Sequence, residues 1–158
     1  MARTNDRMRR RVRRRIAPDT RIEAMFAIKP KKGPRTTHHP TTLSKYLVRY
    51  GLTHTLGSHH LLGDQWLVLT ENRVLLFARR GGGLMVRVGR LEHALDRTEV
   101  SLQWADFTEA RTRKRLIHLT TTDERMNIAA TKLTGFDEAD LFVRAIGDRG
   151  REIGLQEL

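Results

Sequence analysis

The sequence predicts an α+β fold that is mainly β: a run of about seven antiparallel strands followed by one C-terminal helix. Short helices and a basic N-terminal arm precede it. Three observations predict this. Short apolar runs parted by turn residues fill residues 66–130, helical spacing returns at 136–146, and the excess positive charge collects before residue 36. The expected organisation is an Arg/Lys-rich arm and linker at 1–35, a folded domain at 36–150 and a C-terminal tail at 151–158.

The chain has 158 residues, 30 Lys and Arg against 18 Asp and Glu, a net charge of +12 and no Cys. A chain of this length can bury roughly 68–70% of its extended surface, so it needs no metal or disulfide to fold. The missing Cys excludes a disulfide framework, a thiolate zinc site and a Cys nucleophile, and it fits a reducing cytoplasm. No stretch approaches the ~18 apolar residues of a membrane span. The charged start is followed by no apolar segment of the secretory kind.

The charge is uneven. Residues 1–35 hold 13 basic and 3 acidic side chains, while residues 36–158 hold 17 and 15, so the arm carries +10 and the body +2. The densest part contains Arg7, Arg9, Arg10, Arg11, Arg13, Arg14 and Arg15 around Met8 and Val12. These seven arginines are the expected anion-binding residues. Like charges at this density repel, so the isolated arm is expected to be disordered or frayed, becoming helical beside a polyanion. An Arg run of this kind also serves simply as a solubilising tail. Met8 and Met25 offer later starts to translation than Met1.

Thr20 and Glu23 have the spacing of a capping box, and Ile22, Met25 and Phe26 share a helical face, which predicts a short helix over 21–28. Two Pro and a Gly among basic residues at 29–35 read as a linker. Leu43, Tyr46, Leu47 and Tyr50 predict a second helix, stopped by Gly51. The period then changes. Runs at 66–70 and 73–78, parted by Glu71 and Asn72, predict a hairpin. A glycine triplet at 81–83, a strand at 84–88, a weaker one at 91–95 and an alternating strand from Val100 to Trp104 follow. Residues 115–122 and 126–130 form a last hairpin. Leu141, Phe142, Ala145 and Ile146 make the expected buried stripe of the final helix, with Thr134 as its cap and Asp137 in its first turn.

The hairpin Trp66-Leu67-Val68-Leu69-Thr70-Glu71-Asn72-Arg73-Val74-Leu75-Leu76-Phe77 resembles that of the bacterial PH-like and GRAM-like (pleckstrin-homology-like) domains. The 115–120 and 126–128 pair and the closing helix resemble the same family's last elements, so the resemblance spans residues 53–148. It implies a strongly bent antiparallel sheet, an open barrel of about seven strands capped by the C-terminal helix, and a non-catalytic binding module that attaches to a protein partner or a membrane surface. It also implies a candidate basic patch at Arg79 and Arg80, with Arg87 and Arg90 beyond the glycines, although the family's lysine-led pattern is absent. A glycine triplet between strands is equally a permissive turn.

No residue pattern announces a reaction. Ser44, Ser58 and Ser101 lie in no nucleophile elbow, and no phosphate-binding P-loop or dinucleotide fingerprint occurs. His38, His39, His54, His59 and His60 lack metal-ligand spacing, and His93 and His118 fall singly on strands. Asp106 and Glu109 form a carboxylate pair of the kind common in turns. Trp66, Trp104, Phe77 and Phe107 read as core before they read as a base-stacking platform. Arg113, Lys114 and Arg115, with Arg79 and Arg80, are secondary candidate anion contacts. The sequence thus reads as a cytoplasmic binding protein, not an enzyme, without metal or cofactor. It docks to a protein partner or to an anionic phospholipid surface at the inner face of the plasma membrane. The alternative is sequence-independent nucleic-acid binding through the arm.

Overall fold

The computed structural model describes residues 2–30, 64–81, 85–109, 111–122, 127–132 and 136–152. In chain order they form α1 (Ala2–Arg13), β1 (Ile22–Pro30), β2 (Gln65–Thr70), β3 (Arg73–Arg80), β4 (Arg87–Asp96), β5 (Val100–Glu109), β6 (Thr112–Thr121), β7 (Asn127–Lys132), α2 (Phe136–Ile146) and the short β8 (Gly150–Glu152). Hydrogen bonding runs in the order β4-β3-β2-β1-β7-β6-β5-β8.

This corrects the expected barrel. The strands form two antiparallel meanders, β1 to β4 and β5 to β7. Among the described residues they pair through β1 and β7 at Ile28–Lys132, Lys29–Thr131 and Pro30–Ala130. The end strands β4 and β8 do not pair with each other, so the described strands form an open sheet, not a closed barrel. Each meander is held by pairing between strands adjacent in sequence, which needs no closure. Glu138 Oε2 of α2 accepts the Met25 N–H at 2.9 Å and fastens the helix to β1.

The expected helix over 21–28 is a strand. Its residues are buried on both faces, which removes the alternation by which a strand is recognised. Ala24, Phe26 and Ile28 belong to one apolar cluster, and Ile22, Met25 and Ala27 to another. A register shift between Ile22 and Ala24 against β2 puts Ile22 on the same side as Met25, as a bulge does. The strands expected at 84–88 and 91–95 are the single long strand β4 after Val86. The predicted helix around residues 43–50, the linker after Pro30 and Thr134 lie outside the described residues.

The first cluster joins β1, β2 and β3 to Val100, Leu102, Ile117 and Leu119 of the second meander and to Ala139, Phe142 and Ile146 of α2. Phe142 meets Phe26 edge to face, with ring centroids 5.7 Å apart, a favoured aromatic geometry. Leu141, expected in this stripe, is exposed. Asp137 and Glu138 sit in the first turn of α2 and Arg144 in its last, as the helix dipole favours. The second cluster lies on the other face of β1 to β4, where Met8 and Val12 of α1 are fully buried against Trp66, Val68, Leu75, Phe77, Val86 and Val88. Covered on both faces, β2 is buried along its whole length. The segment expected as a free arm therefore supplies a packed helix and an inner strand, and the 35/36 boundary lies outside the described residues.

The 65–80 hairpin forms as expected. Thr70 Oγ1 accepts from the Arg73 N–H at 3.0 Å and donates to the Arg73 carbonyl at 3.1 Å, closing the turn at Glu71 and Asn72. Arg97 then holds this turn to its surroundings. Its guanidinium donates to Glu23 Oε2, to the Thr70 and Glu71 carbonyls and to the Ala145 carbonyl near the end of α2. At the end of β3, Gly81 has φ +74°, and a Cβ there would stand 2.5 Å from the Met85 carbonyl oxygen. Gly81→Ala is expected to lower stability by about 1–3 kcal/mol, the cost of a left-handed non-glycine residue with a backbone clash, as measured by denaturant unfolding.

Candidate anion-binding surface

α1 sorts its arginines by where Met8 and Val12 point. These two residues, four apart, lie on one helical face, and half-buried Ile16 continues their contact with the sheet. The arginines flanking that face reach the body. Arg7 approaches the Val86 carbonyl at 3.5 Å, Arg15 donates to the Gly89 carbonyl, and Arg9 pairs with Glu138 at 2.6 Å. Val86 precedes β4 and Gly89 lies within it, so α1 and the turn after it run beside the start of that strand. Arg11 is half-buried. Arg10, Arg13 and Arg14 are exposed, with no acidic partner among the described residues. Of the seven expected anion-binding residues, the structure leaves Arg10 and Arg13 exposed on α1 and Arg14 exposed in the turn after it, and ties Arg7, Arg9 and Arg15 to the body.

The secondary candidates divide. Arg79 pairs with Asp64 at 3.1 Å and lies over the Trp66 ring, 5.8 Å from its centroid, a cation–π arrangement. Arg115 is buried and donates from all three guanidinium nitrogens, to both Asp106 oxygens and to Asp140. Arg113 also pairs with Asp106. Burial alone would raise the Asp106 carboxyl, but the hydrogen bonds from Arg115 and Arg113, aided by their charges, hold it below its ordinary value. Burial would likewise lower Arg115, and its bonds to Asp106 and Asp140 outweigh that and raise it. This triad fastens α2 to β5 and β6; Arg115 is a structural ion, not an anion contact. The Lys114 side chain lies outside the described residues.

Arg80 differs. It is exposed and directly opposite Arg87 across β3 and β4. Like charges so placed destabilise a sheet by a few tenths of a kcal/mol or more, and neither has an acidic partner among the described residues. Met85, 66% exposed, adjoins them. Sequence reasoning named the arginines but missed the exposed methionine, because Met85 falls within the strand expected at 84–88, whereas β4 begins at Arg87.

The other sequence candidates do not assemble. Trp66 and Phe77 are buried, and Trp104 packs partly against the first core cluster. Asp106 is engaged by Arg115 and Arg113, while the Glu109 and Phe107 side chains lie outside the described residues, as do the five histidines between 38 and 60. His118 is buried and His93 half-buried. Among the described residues no cluster of His, Asp and Glu could hold a metal ion, and no helix is long and apolar enough to cross a membrane. No family model, no curated protein and no solved structure matches the chain. Nothing in these comparisons places it among the PH-like or GRAM-like proteins.

Proposed function

We propose that the protein is a non-catalytic docking module that holds an anionic phospholipid surface, from the cytoplasmic side, through the exposed arginines of α1 and the turn after it. The observation that carries this reading is the orientation of α1. Met8 and Val12 anchor the helix to the sheet, and Arg10, Arg13 and Arg14 stand outward without acidic partners among the described residues. Arg80 and Arg87 add a second positive pair without an acidic partner among the described residues, and exposed Met85 beside them offers a bilayer an apolar contact that a polynucleotide would not need.

Basic residues near an anionic leaflet contribute about 1 kcal/mol each. Replacing Arg10, Arg13 and Arg14 together by Ala is expected to weaken binding to phosphatidylserine-containing vesicles by on the order of a hundredfold. Neutral vesicles should bind neither protein, and added salt should weaken the wild type steeply. Equal binding by the triple variant and the wild type in a vesicle sedimentation assay would overturn the reading. A second reading, contact with a nucleic-acid backbone, rests on the inward turn of Met8 and Val12. It leaves the exposed side of α1 with arginine as its contact chemistry, which phosphates satisfy by bidentate pairing. Salt-steep binding to duplex DNA without vesicle binding would favour it.

A further inference from the structure

We infer that the docking of α1 on the sheet is an autoinhibitory contact that limits how strongly the protein holds an anionic membrane, with Glu138 as its latch. This rests on the membrane reading above. Docking covers the apolar side chains a membrane-bound helix would use and engages three of its arginines. Met8, Val12 and Ile16, spaced four apart, are the only apolar side chains along the arginine run, and all three face the body. Arg7, Arg9 and Arg15 are held by the Val86 carbonyl, Glu138 and the Gly89 carbonyl. In the docked state the apolar edge is covered, and Arg7 and Arg15, though exposed, are engaged by the body together with half-buried Arg9. Released, the same segment would present all seven, with a thin apolar edge between them.

The balance between the two states is set locally. A helix of twelve residues is marginal on its own in water, and repulsion among its arginines weakens it further, so the sheet face is what holds it. The Arg9 tether is an ion pair. Glu138 Oε2 lies 2.6 Å from Arg9 and 2.9 Å from the Met25 N–H, with both charged side chains largely buried at 25% and 20% exposure. An anionic surface binds the released form better than the docked one, so it draws the population toward release.

The test changes the latch and leaves the arm intact. Glu138→Gln keeps an oxygen for the Met25 N–H and removes the charge that Arg9 faces. In the full chain it is expected to raise both trypsin cleavage within residues 7–15 in solution and affinity for phosphatidylserine-containing vesicles. Both should rise by a similar factor, roughly three- to tenfold, because both report the released fraction. Glu138→Arg, which repels Arg9, should raise both further, with circular dichroism confirming that each variant keeps its sheet. Faster cleavage without tighter vesicle binding would overturn the autoinhibition and leave the membrane reading standing. Unchanged cleavage in both variants would overturn the latch. If the wild type and both variants bind anionic and neutral vesicles equally poorly while cleavage rises, the membrane reading itself fails.

Discussion

Arg115→Ala is expected to cost about 3 kcal/mol of stability, at the lower end of the range for breaking a buried ion pair. The guanidinium is 5% exposed and supplies three donors to two carboxylates. Removing it leaves Asp106 and Asp140 close together over a cavity between β5, β6 and α2. The cost stays at the lower end because Asp140 is 40% exposed and Asp106 keeps Arg113. Arg115→Lys should recover only part of the loss, since an ammonium cannot reproduce the planar fork. Urea unfolding of the three proteins checks both statements, and a loss below about 1 kcal/mol, the level of an exposed pair, would show that the triad does not hold α2.

The same triad sets an acid limit. The Asp106 carboxyl lies below its ordinary value of 3.8 when folded, so the unfolded chain takes up its proton first as pH falls. Its stabilising contribution is complete above the unfolded value and is lost as pH drops through the folded one. Asp96 shifts the same way, because its side chain accepts from the hydroxyl and backbone N–H of Thr98. Thermal stability should therefore be nearly flat from neutral pH down to about 5 and fall below about 4. In Asp106→Asn that fall should be shallower, from a lower starting point.

Met8→Asp combined with Val12→Asp is expected to release α1 while the rest of the fold persists. Both positions are fully buried among apolar side chains, and a carboxylate buried there would lack a partner, which costs far more than undocking. The two native side chains contribute roughly 3–6 kcal/mol by area, and that contribution disappears. The first cluster, from Ala24 to Ile146, does not include α1, so a cooperative unfolding transition should survive. Three readings should change together: helical circular dichroism falls, Trp66 emission shifts to the red as its cover leaves, and binding of a hydrophobic dye rises with the uncovered patch. Retention of full helicity would show that contacts other than Met8 and Val12 hold the helix.

Much of this architecture is legible in the residues alone. The β2–β3 hairpin follows from two apolar runs around Glu71 and Asn72, with Thr70 able to close the turn. The final helix follows from Phe142 and Ile146 at helical spacing with acids in the first turn. Leu141 did not obey, because an i, i+4 stripe is wider than the face α2 buries and only packing decides its border. β1 was misread for a related reason. Ile22, Met25 and Phe26 mimic a helical face when a bulge interrupts the alternation and both sides of the strand are covered.

The candidate surface shows the same division. The order of residues alone established that residues 1–35 carry +10, with seven arginines clustered at 7–15, on a nearly neutral remainder, because charge follows from counting residues along the chain. Local reasoning then expected that segment to stay unfolded, since nothing within it offsets the repulsion. What offsets it lies far along the chain: the apolar face built by Trp66, Val68, Leu75, Phe77 and Val88, and the carboxylate of Glu138. Which arginines face solvent, which are tied to the body, and whether Arg115 binds a ligand or two carboxylates are matters of contacts between distant segments. Only the tertiary structure decides them, because a side chain's partner is set by where the backbone brings the other group and not by its neighbours in sequence.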